Sequence, residues 1–366
     1  MKPLSIYVHV PFCQQKCLYC DFTSYVTDEQ TKVNYMQALF AEIDSIKNQA
    51  QGYQVQTVFI GGGTPTCLSP QWLERLFEQI HVNFNIAPNA EITVEANPGT
   101  LNETMLTTLK SVGVNRLSIG LQAWQDKHLK VLGRLHTRQE FIENFALARQ
   151  LGFQNLSVDL MFALPDQTFQ EWEQTIHAVC QLAPEHLSCY ALKVEEGTPF
   201  DSMQLNLPNE DTDRAMYHRA IEILEQNGYQ QYEISNFAKK GFASQHNLTY
   251  WQCGEYIGLG AAAHSYFQNE RYAHTSVLAD YIKQPSEKID CQTLTPEEKE
   301  KEFIILGLRL NKGIDLDAYQ TLFKKPFDLT RVQRMIDGQL MYMQDNHLKL
   351  TIKGMDISNQ IFMQFI

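Results

Sequence analysis

Ser5-Ile-Tyr-Val-His-Val-Pro-Phe-Cys-Gln-Gln-Lys-Cys-Leu-Tyr-Cys-Asp-Phe22 is the stretch on which the reading of this chain turns. It opens as a strand and ends as a loop of thiols. Ser5–Val10 alternates, with Ile6, Val8 and Val10 on one face and Tyr7 and His9 on the other. Cys13, Cys17 and Cys20 follow with the spacing C-x3-C-x2-C, and no fourth cysteine comes close behind. Three thiolates can hold three corners of a [4Fe–4S] cube and leave one iron open to an outside molecule. Two other readings compete. His9 could complete a Cys3His zinc site, but such sites usually pair two C-x2-C knuckles and no second knuckle exists here. A disulfide framework needs an even number of cysteines and an oxidising compartment.

The strand before the loop is the first of six short apolar runs. The others are Val55–Ile60, Glu91–Glu95, Asn115–Leu121, Leu156–Phe162 and His186–Leu192. Helix-like stretches lie between them, at about Asp28–Gln51, Ser69–Phe84, Asn102–Val112, Arg138–Leu151 and Thr168–Leu182. Ser69-Pro70 reads as a cap followed by proline at the first helical position, and Gly113 and Gly152 stand where helices end. Six strand–helix units predict an α/β fold, a parallel sheet closed fully or partly into a TIM-like (β/α)6 barrel.

In such a fold chemistry sits at the C-terminal ends of the strands. The polar residues follow that rule. The second run ends in Gly61-Gly62-Gly63-Thr64-Pro65, the third carries Glu95 and Asn97, and the fourth ends at Gln122. The fifth holds Asp159 among Val158, Leu160 and Phe162, and the sixth holds Tyr190. A carboxylate in an apolar strand is costly unless it is paired or used, so Glu95 and Asp159 are either internal ion pairs or site residues. Alternation puts Thr93, Glu95 and Asn97 on one face, which lines the lumen.

Residues 1–192 therefore form the core, 193–283 an extension, and 284–366 a small, mainly α C-terminal domain, with Gln284-Pro285-Ser286 as the linker. Net charge is −12 over 366 residues, which argues against a nucleic-acid backbone as partner. No apolar run reaches membrane-spanning length, and the amino terminus lacks a signal pattern, so a cytoplasmic, reduced location is expected. The five scattered cysteines then read as small core hydrophobes.

The thiol loop, Tyr7 six residues ahead of Cys13, and the Gly-Gly-Gly-Thr-Pro turn resemble the radical S-adenosylmethionine (SAM) superfamily. More narrowly, the chain is similar to the group that holds oxygen-independent coproporphyrinogen III oxidase and the HemW-like haem chaperones. The likeness runs over nearly the whole length. It takes in Arg116-Leu-Ser-Ile-Gly-Leu-Gln122, Asp159, Tyr232-Glu-Ile-Ser-Asn236 and a HemN-like C-terminal domain. It implies a three-quarter barrel, a [4Fe–4S] cluster on Cys13, Cys17 and Cys20, and SAM on the open iron. Reductive cleavage of SAM then yields a 5′-deoxyadenosyl radical, with the protein supplying position. The resemblance places Tyr7, Gly62, Gly63, Thr64, Glu95, Gln122, Arg134 and Asp159 around SAM.

Two features separate the subgroups. The oxidase pattern continues with another cysteine two residues after the third; this chain has Phe22 there. His246-Asn247-Leu-Thr-Tyr250-Trp251 matches the H-N-x-x-Y-W motif of the haem chaperones, which implies a haem site at His246, Asn247, Tyr250 and Trp251, with His264 as a weaker candidate. The resemblance thus implies haem carriage to apo-haemoproteins, including respiratory-chain enzymes at the membrane. It also implies a flavodoxin- or ferredoxin-type electron donor and a homodimer. Anaerobic decarboxylation of coproporphyrinogen III is the alternative.

Overall fold

The computed structural model describes residues 1–366. Its centre is six parallel strands in sequential order: β1 (Lys2–Val10), β2 (Tyr53–Gly62), β3 (Ile86–Ala96), β4 (Arg116–Gln122), β5 (Asn155–Phe162) and β6 (His186–Ala191). Between them run α1 (Glu29–Ile46), α2 (Pro70–Asn83), α3 (Glu103–Ser111), α4 (Asp126–Val131), α5 (Arg138–Gln150) and α6 (Phe169–Gln181). The expected units are all present. The additional short helix α4 has too few residues to show a helical period. Capping explains the sharp starts. Thr137 and Thr168 each form a full capping box, and Asn102 accepts from the Met105 amide. Ser69 makes no side-chain cap, so the fixed φ of Pro70 alone sets the start of α2.

β1 and β6 do not pair, so the barrel stays open. The middle of the chain occupies both free edges. After α7 (Glu210–Gln226), β7 (Gln230–Glu233) and β8 (Asn236–Ala238) form a hairpin, and β8 runs antiparallel to β6. Then α8 (Gln245–Trp251) leads to β9 (Tyr256–Leu259), which pairs parallel with β1. β10 (His264–Phe267), β11 (Glu270–Ala273) and, after α9 (Leu278–Lys283), β12 (Ile289–Thr293) continue outward as an antiparallel meander. The result is one twelve-stranded sheet over a core of 62 buried residues. The stretch 193–283 is therefore woven into the sheet at both edges. Gln284-Pro285-Ser286 is a turn inside that sheet, with Ser286 Oγ 3.0 Å from Ser45 Oγ, and the sheet ends only at Thr293.

A second core of 13 buried residues lies beyond it. It packs α10 (Pro296–Gly307), α11 (Leu316–Phe323), α12 (Gln333–Asp337), α13 (Ile352–Asp356) and α14 (Ser358–Phe362) on β13 (Ile314–Asp315), β14 (Met341–Gln344) and β15 (His347–Leu350). The unit is mainly α, as expected, and adds a three-stranded sheet whose strands are too short to announce themselves. The unit is tied to the barrel through Arg271, which grips Glu302 with two bonds of 2.8 and 2.7 Å, and through Arg309, 4.4 Å from the Trp251 ring centre. No helix is long and apolar enough to cross a membrane.

Candidate functional site

Two cavities meet at the thiol loop. The first, about 480 Å3, lies over the C-terminal ends of the parallel strands. Cys13, Cys17 and Cys20 all line it, with Gly62, Gly63, Thr64, Glu95, Gln122, Arg134 and Asp159. Seven of the eight residues expected around SAM are thus brought to one wall system. Tyr7 is the exception. It stands on the same luminal face, in register with Phe59, but lines the second cavity, its hydroxyl 2.9 Å from His9 Nδ1.

Two of the thiols, Cys13 and Cys20, sit in environments that resist a bare thiolate. Burial pushes Cys13 and Cys20 above the ordinary thiol range. The offsetting groups are the Thr64 hydroxyl for Cys13, at 3.6 Å, and a backbone hydrogen bond from Phe22 for Cys20. Arg134 Nη1 lies 3.8 Å from Cys17 Sγ while its Nη2 donates to Asn97 Oδ1 and the Gly120 carbonyl, both at 2.6 Å. Three desolvated thiols around one cavity suit a metal–sulfide core, whose positive charge stabilises them as thiolates. A single zinc ion is a poor fit. No three ligating side chains converge on one point, and both ring nitrogens of His9 are engaged, by Tyr7 and by the Thr23 carbonyl at 2.8 Å.

The glycine turn owes its composition to the protein itself. Gly62 has φ +110°, and a Cβ there would lie 2.6 Å from the His9 ring. A Cβ on Gly63 would lie 2.7 Å from the Phe12 carbonyl and 3.0 Å from Cys13 Sγ. The turn is folded tightly under the thiol loop, so side chains are excluded before any cofactor is considered.

Glu95 and Asp159 form no ion pair. Glu95 accepts from the Gly62 amide at 3.0 Å, and Asp159 from Ser118 Oγ at 3.1 and 3.2 Å. Burial first, and then repulsion from Asp159, push Glu95 up to about 8; the Gly62 amide and Arg116 oppose this. Burial also raises Asp159. Two adjacent carboxyls short of positive charge can receive a cationic ligand.

Arg116 is a residue of this site that the sequence pattern did not single out. It is buried, lines the same cavity and leaves its Nε without a partner. A cation opening an apolar strand was the available signal. Ser188, Tyr190 and Lys193 also line this cavity, and Ser188 is the register partner of Asp159 across β5 and β6.

The H-N-x-x-Y-W segment does not sit on a surface. It is helix α8, which links β8 on one free edge of the parallel strands to β9 on the other. Its first amides are capped by Glu91 of β3, with Gln245 N and His246 N at 3.1 and 3.0 Å from the carboxylate. His246 is buried, with Nδ1 2.7 Å from Thr57 Oγ1 and Nε2 2.7 Å from the Tyr250 hydroxyl. Burial and the nearby Arg116 hold it down at about 3, so it is neutral. With both nitrogens engaged it has no lone pair to offer iron, contrary to the expectation. Its ring stacks on Phe59 at 5.0 Å and lies 6.4 Å from Tyr7. Phe59 lines the first cavity and Tyr7 the second, so His246 is part of the partition between them. Asn247 faces the first cavity, while Tyr250 and Trp251 face the second.

That second cavity measures about 570 Å3 and is lined mainly by rings, among them Tyr7, Tyr250, Trp251, Tyr256 and Tyr266. Asp21 and Phe22 line both cavities.

A three-thiol loop over an open parallel barrel, with a glycine turn and unpaired carboxyls at its mouth, defines a radical SAM protein. The profile of the Radical SAM superfamily matches residues 7–179, and that of the HemN C-terminal domain matches residues 294–357. Membership in that superfamily implies a [4Fe–4S] cluster and SAM. The relatives narrow this further. The Heme chaperone HemW of Lactococcus lactis is 35% identical over 100% of this chain and 98% of its own length. That of Bacillus subtilis is 37% identical over 99% of each. That of Escherichia coli is 42% identical over 72% of this chain and 70% of its own. The chain belongs to the HemW heme chaperone family. Coproporphyrinogen III oxidase (HemN) of Escherichia coli shares the fold, with a TM-score of 0.88 over 100% of this chain and 90% of that one at 24% identity.

Proposed function

We propose that this protein carries haem to apo-haemoproteins and uses the first cavity to hold a [4Fe–4S] cluster and SAM. The observation that carries the reading is the paired architecture. A charged, thiol-lined cavity shares Asp21 and Phe22 with an aromatic one large enough for a tetrapyrrole. Cys13, Cys17 and Cys20 would hold the cluster. Gly62, Gly63, Thr64, Glu95, Gln122, Arg134 and Asp159 would hold SAM, whose cleavage supplies radical chemistry when both are bound. Glu95 and Asp159 receive the cationic groups. Arg134 is held by Asn97 and Gly120 against Cys17. A one-electron donor of the flavodoxin or ferredoxin type serves the cluster. The acceptors include respiratory-chain enzymes, met from the cytoplasmic side, and the working form is a homodimer.

The oxidase reading is the weaker one. Where the oxidase pattern has a further cysteine, this chain places Phe22, an exposed ring that can neither donate a proton nor relay an electron as a thiol would. Anaerobic reconstitution tests both at once. Wild type with coproporphyrinogen III and dithionite is expected to give no vinyl product, while Cys17→Ala is expected to lose the four-iron spectrum. Stoichiometric protoporphyrinogen would overturn the carrier reading, and an intact spectrum in the variant would overturn the ligand assignment.

A further inference from the structure

A haem seat needs flat apolar walls, a free Lewis base for the iron and room for the macrocycle. The second cavity has the walls and, at about 570 Å3, the room. Three histidines compete for the iron. His246 is spent on Thr57 and Tyr250 and does not line the cavity. His9 lines it, but Tyr7 and the Thr23 carbonyl occupy both nitrogens. His264, the first residue of β10, lines the cavity, is exposed, and makes no side-chain hydrogen bond. Resting on the carrier reading, we infer that haem binds in this second cavity with His264 as its axial ligand, and that His246 is a strut of the partition behind it.

Three further features favour this assignment. The one thiol in the cavity wall, Cys253, is pushed up to about 12 by burial and stays protonated at neutral pH, so it is a poor competitor for iron. Arg271 stands in the same wall, over the Tyr266 ring at 5.0 Å and held there by Glu302, so it fixes the aromatic wall against which the macrocycle would lie. Leu306, from α10, completes the wall, so the C-terminal unit helps to build the seat.

The test is a haemin titration of the full-length protein, read by the Soret band and by electron paramagnetic resonance. Wild type is expected to show a histidine-ligated spectrum. His264→Ala is expected to lose that signature and at least about tenfold in affinity, and free imidazole is expected to restore the signature by filling the vacated coordination position. His246→Asn severs buried bonds, so Thr57→Val, which removes one partner only, accompanies it. Both are expected to keep the wild-type spectrum wherever circular dichroism shows a native fold. An unchanged spectrum in His264→Ala overturns the assignment and leaves the carrier reading standing. Loss of the signature in a folded Thr57→Val or His246→Asn protein overturns it too. Failure of wild type to bind haemin removes the carrier reading itself.

Discussion

The two cavities are built on opposite principles. The first gathers ionisable groups and leaves them unpaired: Glu95, Asp159 and Arg116 share one wall system without an ion pair among them. The second gathers rings, and its polar groups are largely tied up, His9 on Tyr7 and Arg271 on Glu302. An unpaired buried charge costs several kcal/mol and persists only where something else repays it. An aromatic wall carries no such debt and can stand empty. The comparison teaches that the first cavity is incomplete without a ligand, while the second is a ready container.

The partition between them is the place to break this comparison hardest. His246→Ala would remove two buried hydrogen bonds, strand Thr57 and Tyr250 and open a void beside Phe59. The expected loss of stability is about 3–5 kcal/mol, measured by urea unfolding. The pH dependence follows from the depressed value near 3 against an ordinary 6.5. Between those values the unfolded chain binds the extra proton, so wild-type stability falls as the medium is acidified from about pH 6.5 toward 3. The variant is expected to lose that slope. An exposed histidine would give neither result.

Much of the first cavity was legible in the sequence, because its residues stand at the ends of strands whose alternation fixes their side. Thr93, Glu95 and Asn97 follow from period two, and the helices between the strands announce themselves by caps such as Thr137 and Thr168. The second cavity was not legible. Besides β1 and the thiol loop it takes its walls from α8, β9, β10, β11 and one residue of α10, which are far from β1 in the chain and mostly too short to carry a period. Tyr7, expected beside SAM, lines the second cavity, one ring away from Phe59 of the first. His246 makes a related point. The motif gave the residue, but only the fold shows Thr57 and Tyr250 holding both its nitrogens.

The next effect is smaller and has the opposite sign. Glu95 titrates near 8 in the fold against an ordinary 4.5. The folded state therefore holds the extra proton between those values, and the cofactor-free protein is destabilised as pH rises from about 4.5 to 8. Glu95→Gln keeps the acceptor for Gly62 and removes the charge. The variant is expected to be more stable than wild type above pH 8, by on the order of 2–4 kcal/mol, and to converge with it near pH 5. It should bind SAM at least about tenfold more weakly. A stability gap that does not change with pH would mean that Glu95 is neutralised by some other group, and the contrast between the cavities would soften.

The smallest effect on stability is expected at Phe22, which belongs to both cavities. Its ring is 63% exposed, so little apolar area leaves water when the chain folds. Phe22→Ala should therefore change stability by less than about 0.5 kcal/mol. Its position still matters, because it closes the gap between a charged space and an aromatic one. Removing the ring is expected to speed haem dissociation from the second cavity while leaving the affinity for SAM within about twofold. Phe22→Cys sharpens the point. It restores the thiol of the oxidase pattern at an exposed position, yet leaves the aromatic partition of Tyr7, His246 and Phe59 in place. With coproporphyrinogen III under reducing conditions this variant is expected to form no vinyl product. Product formation would mean that one side chain, rather than the wall between two cavities, separates a carrier from a decarboxylase.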